Sequence, residues 1–526
     1  MKLDRDPSGT ALLDALYRPG GLWKLLPEHV RLGFVSGAIF AAVTHLYAFV
    51  NILVNHDSTS TFFCTSSFLD LARWACRPFT ALGSDITLPV VMGLLSVFYL
   101  AAASALTVKV LNIRSPLFVV LSAALMATFP PLASVFAYAS EWFLVALLLN
   151  AIAVYALCEW RRGWPVGIAF LTLGLGVYQS YLGFAVALLV FDCVLRLLAD
   201  EAVSDVLRRG VKYIFSLLVS ILLFYVILEI FLRLTGTELR AYKGLDTMGF
   251  SAIGSYLANL PKPYREMFSF YSHTGYLSRP MQLVQHTLLL AGMVSYAYLA
   301  VRRKLYRKPA ALALQLLGFA MLPLAAGIAA LFTPAPSNTL NQYAYVLLLV
   351  FCLKLVSLAV EDGLSARRGK AMLSYVLTAA LCAALVWSSI CVNNLAYVQM
   401  HVMYDNSLSL TTRITERVEE LDDYSPEMPV AFVGSPNFSE LYMHGLQFFE
   451  GTGCLVGVNT QPIGSYSTRT FFKIFTGVDF PGINGAQQEL LEQSGVLDSM
   501  PSFPCKGSVI SYEGIAIVKL SDGNLY

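Results

Sequence analysis

The sequence predicts a polytopic, mostly α-helical membrane protein that closes with a small α/β domain. Three observations carry this expectation. Of 526 residues, 56% are hydrophobic and only 13% charged, with a mean hydropathy of +0.62, outside the ordinary soluble range. Apolar runs long enough to cross a hydrocarbon layer, about 20 residues each, recur along most of the chain. After residue 392 those runs stop, and shorter alternating and capped segments replace them.

Eleven candidate spans follow in order, at residues 32–54, 89–111, 116–138, 141–158, 164–179, 180–198, 211–232, 281–301, 310–332, 342–360 and 371–392. The fifth and sixth form one apolar run, divided at "GVYQSYLGF" where polar side chains interrupt it. The first run is longer than a signal-peptide core and has no small-residue cleavage site, so it is expected to stay attached. Lys and Arg collect in every second gap: Lys109 and Arg114; Arg161 and Arg162; Arg208, Arg209 and Lys212; "RRKLYRK" at 302–308; Arg367, Arg368 and Lys370. The positive-inside bias puts those gaps and the N-terminus in the cytoplasm, and an odd number of spans puts the C-terminus outside.

Four segments then lie on the outer face: 55–88, the short turns near 140 and 179, 235–280, and 393–526. In the first, Phe68, Leu71, Ala72, Ala75 and Phe79 recur at helical spacing while Ser67, Asp70, Arg73 and Arg77 fall elsewhere. That pattern predicts an amphipathic juxtamembrane helix lying in the outer interface. The loop 235–280 mixes Tyr, Phe and basic residues in the same way and reads as a second lid at headgroup height. The chain thus divides into a membrane domain, 1–392, and an outer α/β domain, 393–526. Within the latter, 395–421 reads as helix, "MPVAFVG" and "CLVGV" as strands, "GAQQELLEQSG" as a glycine-stopped helix, and "GSVISYEGIAIVKL" as a hairpin turning at Glu513 and Gly514.

Nine cysteines divide between spans and the outer side. Cys454 with Cys505 is the expected disulfide, because both fall on the oxidising face. Cys64 with Cys76 is disfavoured if 66–77 is one helix. Twelve helical residues separate their ends by ~18 Å, against the ~7 Å between Cα atoms that a disulfide tolerates.

Several side chains are candidates for chemistry. Asp57 follows Asn55 and His56 just outside the first span. Such a carboxylate is ordinarily a solvated loop end; the functional alternative is a general base that takes a proton from an acceptor hydroxyl. Arg73 and Arg77, with Lys243, Lys262, Arg265 and Arg279 in the other outer loop, depart from the charge bias that fixes the topology. They are either headgroup anchors or ligands for the phosphate of a lipid-linked substrate. Tyr178 and Gln179 either cap two helices or line a cavity and bond sugar hydroxyls. Glu141 and Asp85 either favour a helix N-terminus or supply a second carboxylate that helps hold an acceptor or a divalent cation such as Mg or Mn. Within spans, His45, Glu229 and Lys354 are ionisable, and His45 reads as a hydrogen-bonded packing residue.

The sequence holds no GxGxxG, Walker loop or HExxH, so a nucleotide-sugar or ATP site has no support. A net charge of only +2, spread over the loops, argues against nucleic acid as a partner. Broken-helix pairs in matching halves, the mark of many transporters, are not evident.

The carboxylate after the first span, "RW" in the amphipathic segment, "LPVVMGLLS", "GVYQSYL" and the ending "MPSFPCKGSVISYEGIAIVKL" together resemble the serotype-converting O-antigen glucosyltransferases, membrane enzymes of GT-C type. The resemblance runs from about residue 30 to 522 and rests on the order and spacing of motifs. It implies transfer of glucose from a polyprenyl-phosphate carrier to an O-antigen or lipopolysaccharide acceptor at the periplasmic face of the bacterial inner membrane. It also implies that Asp57 matches the catalytic acid of the first outer loop, and that inversion turns a β-linked donor into an α-glucoside. Relatives carry adjacent acidic residues where this chain has "NHD", so His56 replaces a carboxylate partner and weakens a metal site. Two rival readings are a lipid-linked sugar flippase or exporter, which needs no base, and a scaffold for envelope assembly.

Overall fold

The structure, a computed structural model, describes residues 20–63, 68–83, 85–241, 253–332, 337–364, 368–436, 451–464 and 466–526. Thirteen of its helices position the site: α1 Glu28–Val50, α2 His56–Ser60, α3 Pro89–Val110, α4 Pro116–Thr128, α5 Pro131–Ala137, α6 Phe143–Glu159, α7 Trp164–Val177, α8 Leu182–Leu198, α9 Val203–Thr235, α10 Pro261–Ser272, α11 Arg279–Arg302, α12 Pro309–Ala326 and α13 Val346–Leu364. A fourteenth, α14, runs unbroken from Arg368 to Glu419. Proline opens many of them, because its missing N–H is an orphan at a helix start in any case. The "FPP" run at 129–131 has the opposite effect, bending α4 against α5 by 43°.

Among the described residues eight helices are long and apolar enough to cross a membrane, nine if the bent pair α4–α5 is one span, and α6 and α7 are shorter apolar helices. Their outward faces are apolar: Leu46, Leu94, Phe98, Val211, Leu283, Met293 and Trp387 are all exposed. A greasy exterior over a packed interior is the mark of a protein solvated by lipid. This is a polytopic membrane protein, mostly helical. The basic gaps gather at one end, where the Lys354 ammonium donates to the Asn112 carbonyl, Arg303 pairs with Asp362 and donates to the Leu198 carbonyl, and Arg196 bridges Asp192 and Glu201. His45 is a packing residue: its ring nitrogens meet the Tyr397 hydroxyl and the Ala127 carbonyl.

Four sequence expectations change. First, residues 68–83 are not one amphipathic helix. They form a 3₁₀ turn at Leu69–Leu71 and a short helix at Arg77–Thr80, separated because Phe68 and Ala72 take left-handed φ values of 52° and 58°. Of the apolar residues that suggested a surface helix, Ala72 and Ala75 are buried in the main core instead, with Phe68 and Phe79 packed against it. Second, no break separates the last span from a following helix: α14 has 52 residues. Third, 454–458 forms turns, not a strand, around the left-handed Gly457. Fourth, Cys454 and Cys505 are unpaired thiols. Cys64 and Lys243 lie outside the described residues.

The C-terminal region holds a three-stranded sheet of order β1-β3-β2: β1 Val430–Val433, β2 Val509–Tyr512 and β3 Ile515–Lys519. β1 runs parallel to β3, pairing Val430 with Ala516. β2 and β3 form the expected hairpin, turned at Glu513 and Gly514, both at positive φ. The predicted glycine-stopped helix is α15, Gly485–Ser494, opened by an Asn484 capping box and ended by Gly495 in the left-handed region. The far half of α14 supplies Leu410, Ile414 and Val418 to the core beneath this sheet.

Candidate functional site

At the end of the bundle opposite the basic gaps lies a chamber of about 1570 Å³. Its polar wall includes Asp57, Arg73, Asp85, Glu141, Tyr178 and Gln179; its apolar flank is built by α9. Leu218, Leu222, Val226 and Ile230, spaced four apart on α9, both line it and are exposed on the molecular surface. The chamber therefore opens sideways along a greasy helix face.

The Arg73 guanidinium sits within 5.2–5.5 Å of three ring centroids, those of Phe143, Tyr178 and Trp142. The rings brace one another: Phe143 and Tyr178 stack at 3.8 Å, and Trp142 stacks on Phe68 at 5.3 Å. Two hydrogen bonds bracket the arginine. The Ala75 N–H donates to the Gly176 carbonyl (2.9 Å), and the Gln179 amide donates to the Ala72 carbonyl (2.8 Å). Gly176 is required there, because a Cβ would lie 2.6 Å from the Trp74 ring. Among the described residues Arg73 has no carboxylate partner, and its buried Nε meets no acceptor. A cation held by rings and left without a counter-ion suits an anionic ligand.

Asp57 opens the other side. It belongs to α2, whose start is fixed by a capping box between Asn55 and Ser58, with Asn55 fully buried and donating to the Gly457 carbonyl at 3.3 Å. The Asp57 carboxylate is half exposed, accepts a hydrogen bond from the Tyr466 hydroxyl, and lies 3.7 Å from the His56 ring nitrogen. Sequence reasoning missed Tyr466, which is 409 positions away in the chain; nothing in "PIGSYS" except turn-forming residues marks it. The segment carrying it is seated on the chamber, with the Val456 N–H donating to the Thr339 hydroxyl at 3.0 Å and no room for a Cβ at Gly457 against Tyr138.

The other expected residues are placed as follows. Arg77 pairs with Asp85; Asp85 lines the chamber but Arg77 does not. Tyr178 donates to the Asn341 side chain, which also accepts from Ser180, so Tyr178 acts through its ring face as a shelf. Asn55 and His56 do not line the chamber, and Arg279 is exposed at the start of α11, away from it. Glu141 lies in the turn before α6, outside that helix. It is buried, and burial pushes its carboxyl up to about 8. Among the described residues, no three His, Cys, Asp or Glu side chains are grouped to hold a metal ion.

The chamber of this helical membrane protein thus joins a guanidinium that has no carboxylate partner among the described residues to an apolar flank open along α9. The comparison with known families narrows this: the family model described as glucosyl transferase GtrII matches residues 46–357, more than half of the chain, and the protein belongs to that family. It is thus a membrane glycosyltransferase. Of the described chamber residues, all but Val456 and Tyr466 fall within the match. No curated protein and no solved structure matches the chain.

Proposed function

We propose that the protein is an inverting glycosyltransferase that moves glucose from a polyprenyl-phosphate carrier to an O-antigen or lipopolysaccharide acceptor on the periplasmic face of the bacterial inner membrane. One observation carries the reading: the unpaired Arg73 guanidinium and the exposed α9 stripe share a chamber, as a phosphate head and an isoprenoid tail require. Asp57 is the base. Its carboxylate takes the proton of the acceptor hydroxyl as that oxygen bonds to the anomeric carbon. The bond from that carbon to the phosphate oxygen breaks, and the electron pair leaves with polyprenyl phosphate, whose charge Arg73 stabilises. Attack opposite the leaving group turns a β-linked donor into an α-glucoside.

In this reading the chain crosses the membrane eleven times with its N-terminus in the cytoplasm, and residues 393–526 form a periplasmic domain. The clustering of basic gaps at the end away from Asp57 supports that orientation. The partners are the lipid-linked donor, the lipid-linked acceptor and bilayer lipids. The test is Asp57→Asn in membranes supplied with polyprenyl-phosphoglucose and acceptor: transfer should be abolished while expression is unchanged. Retained transfer would overturn the assignment, as would substrate movement across the bilayer with no glycosidic bond made.

A further inference from the structure

Among the described residues five carboxyl groups line the chamber, and four are engaged: Asp57 by Tyr466 and His56, Asp70 by Arg240, Asp85 by Arg77, and Glu229 by Arg233. Glu141 differs. It is 6% exposed, its Oε2 is buried without a hydrogen-bond donor, and it forms no ion pair among the described residues. It immediately precedes Trp142 and Phe143, two of the rings that carry the Arg73 guanidinium, yet the carboxyl and the guanidinium are not paired. Among the described residues, the chamber thus holds one guanidinium and one carboxyl that form no ion pair, the carboxyl on the residue preceding two of the rings that carry the guanidinium.

We propose that Glu141 serves as a neutral carboxylic acid that donates a hydrogen bond to a phosphate oxygen of the donor, leaving the charge of Arg73 uncompensated for that anion. The proposal rests on the reading of the chamber as the donor site. An ionised carboxylate here would repel the phosphodiester and offset the guanidinium; a protonated one adds a donor instead. A buried carboxyl without a cation keeps its proton, and burial holds this one up to about 8. The Tyr99 phenol of α3 interacts electrostatically with Glu141, and among the described residues the chamber wall carries the phenols of Tyr138, Tyr178, Tyr225, Tyr256 and Tyr466, the Arg73 guanidinium and the four engaged carboxylates. Arg233 and Arg240 are held by their own partners, and among the described residues neither histidine nor lysine lines the chamber.

The experiment is equilibrium binding of polyprenyl-phosphoglucose to the full-length protein in nanodiscs without acceptor. The ligand's phosphodiester does not titrate in the range used. If only the neutral form of Glu141 binds well and it titrates near 8, Kd should rise about tenfold between pH 7 and pH 9. Glu141→Gln, which keeps a donor and cannot ionise, should bind at both pH values within about threefold of the unsubstituted protein at pH 7. Glu141→Ala should bind weakly at both. An alkaline rise in Kd that persists in Glu141→Gln, or a flat Kd in the unsubstituted protein, overturns the role. Transfer at pH 7 is assayed alongside: its absence removes the functional reading itself, whereas transfer with a flat Kd removes only the role of Glu141.

Discussion

Arg73→Lys keeps a unit charge in the chamber but removes the planar fork and its stacking. The structure sets the scale. Three rings lie within 5.5 Å of the guanidinium carbon, and a partly buried cation–π contact contributes ~0.5–1 kcal/mol, so the shelf holds the charge in place by at most ~1.5–3 kcal/mol. One cation shared among three rings does not collect three full contributions, and the lower half of that range is expected. In rate terms it corresponds to a fall of about 10- to 50-fold in kcat/KM for the lipid-linked donor. The measurement is donor-dependent transfer by purified protein in nanodiscs at saturating acceptor, with thermal unfolding as a check on the fold. The acceptor KM should not move. Arg73→Lys within twofold of the unsubstituted protein, or a loss confined to acceptor KM, would refute the placement of phosphate against this shelf.

Two further outcomes follow from the same end of the molecule. Gly176→Ala would set a Cβ 2.6 Å from the Trp74 ring and 3.0 Å from the Ala75 Cβ, an overpacking cost of ~1–3 kcal/mol, and should lower both Tm and donor kcat/KM. Trimming Trp74 to Leu in that background should restore part of each. Tyr466→Phe removes the hydroxyl that donates to Asp57; both groups are half exposed, so a contribution of about 1 kcal/mol is expected, about fivefold on turnover. Donor KM should stay constant in that variant, and a change in donor KM alone would argue against a role in orienting the base.

The apolar segments of the bundle were legible because lipid solvation demands long uniform runs, and each predicted span contains a helix or helix pair in the structure. The C-terminal hairpin was legible from Glu513 and Gly514, whose turn chemistry is local. Legibility failed where contacts are distant. Phe68, Leu71, Ala72, Ala75 and Phe79 have the spacing of a surface helix, but hydrogen bonds from Ala75 to Gly176 and from Gln179 to Ala72 pull that segment into the core, and no local pattern announces them. "CLVGV" has the composition of a strand, yet Gly457 is wedged against Tyr138 and the chain turns there. At the site, Asp57 and Arg73 stood out because charge beside a span is costly and therefore informative. Tyr466 carried no such mark: a tyrosine in a turn looks the same whether or not a carboxylate waits across the fold.

The unbroken α14 has a mechanical consequence. Fifty-two residues at ~1.5 Å each make a rod of about 78 Å, more than twice the ~30 Å hydrocarbon thickness. A tilt of only about 5° at the bilayer surface would swing a tip ~45 Å away by roughly 4 Å. That stroke exceeds the length of the bond between Tyr466 and Asp57. The rod is thus a lever: Leu410, Ile414 and Val418 on its far half sit in the core beneath the sheet, so a tilt would carry that core with it.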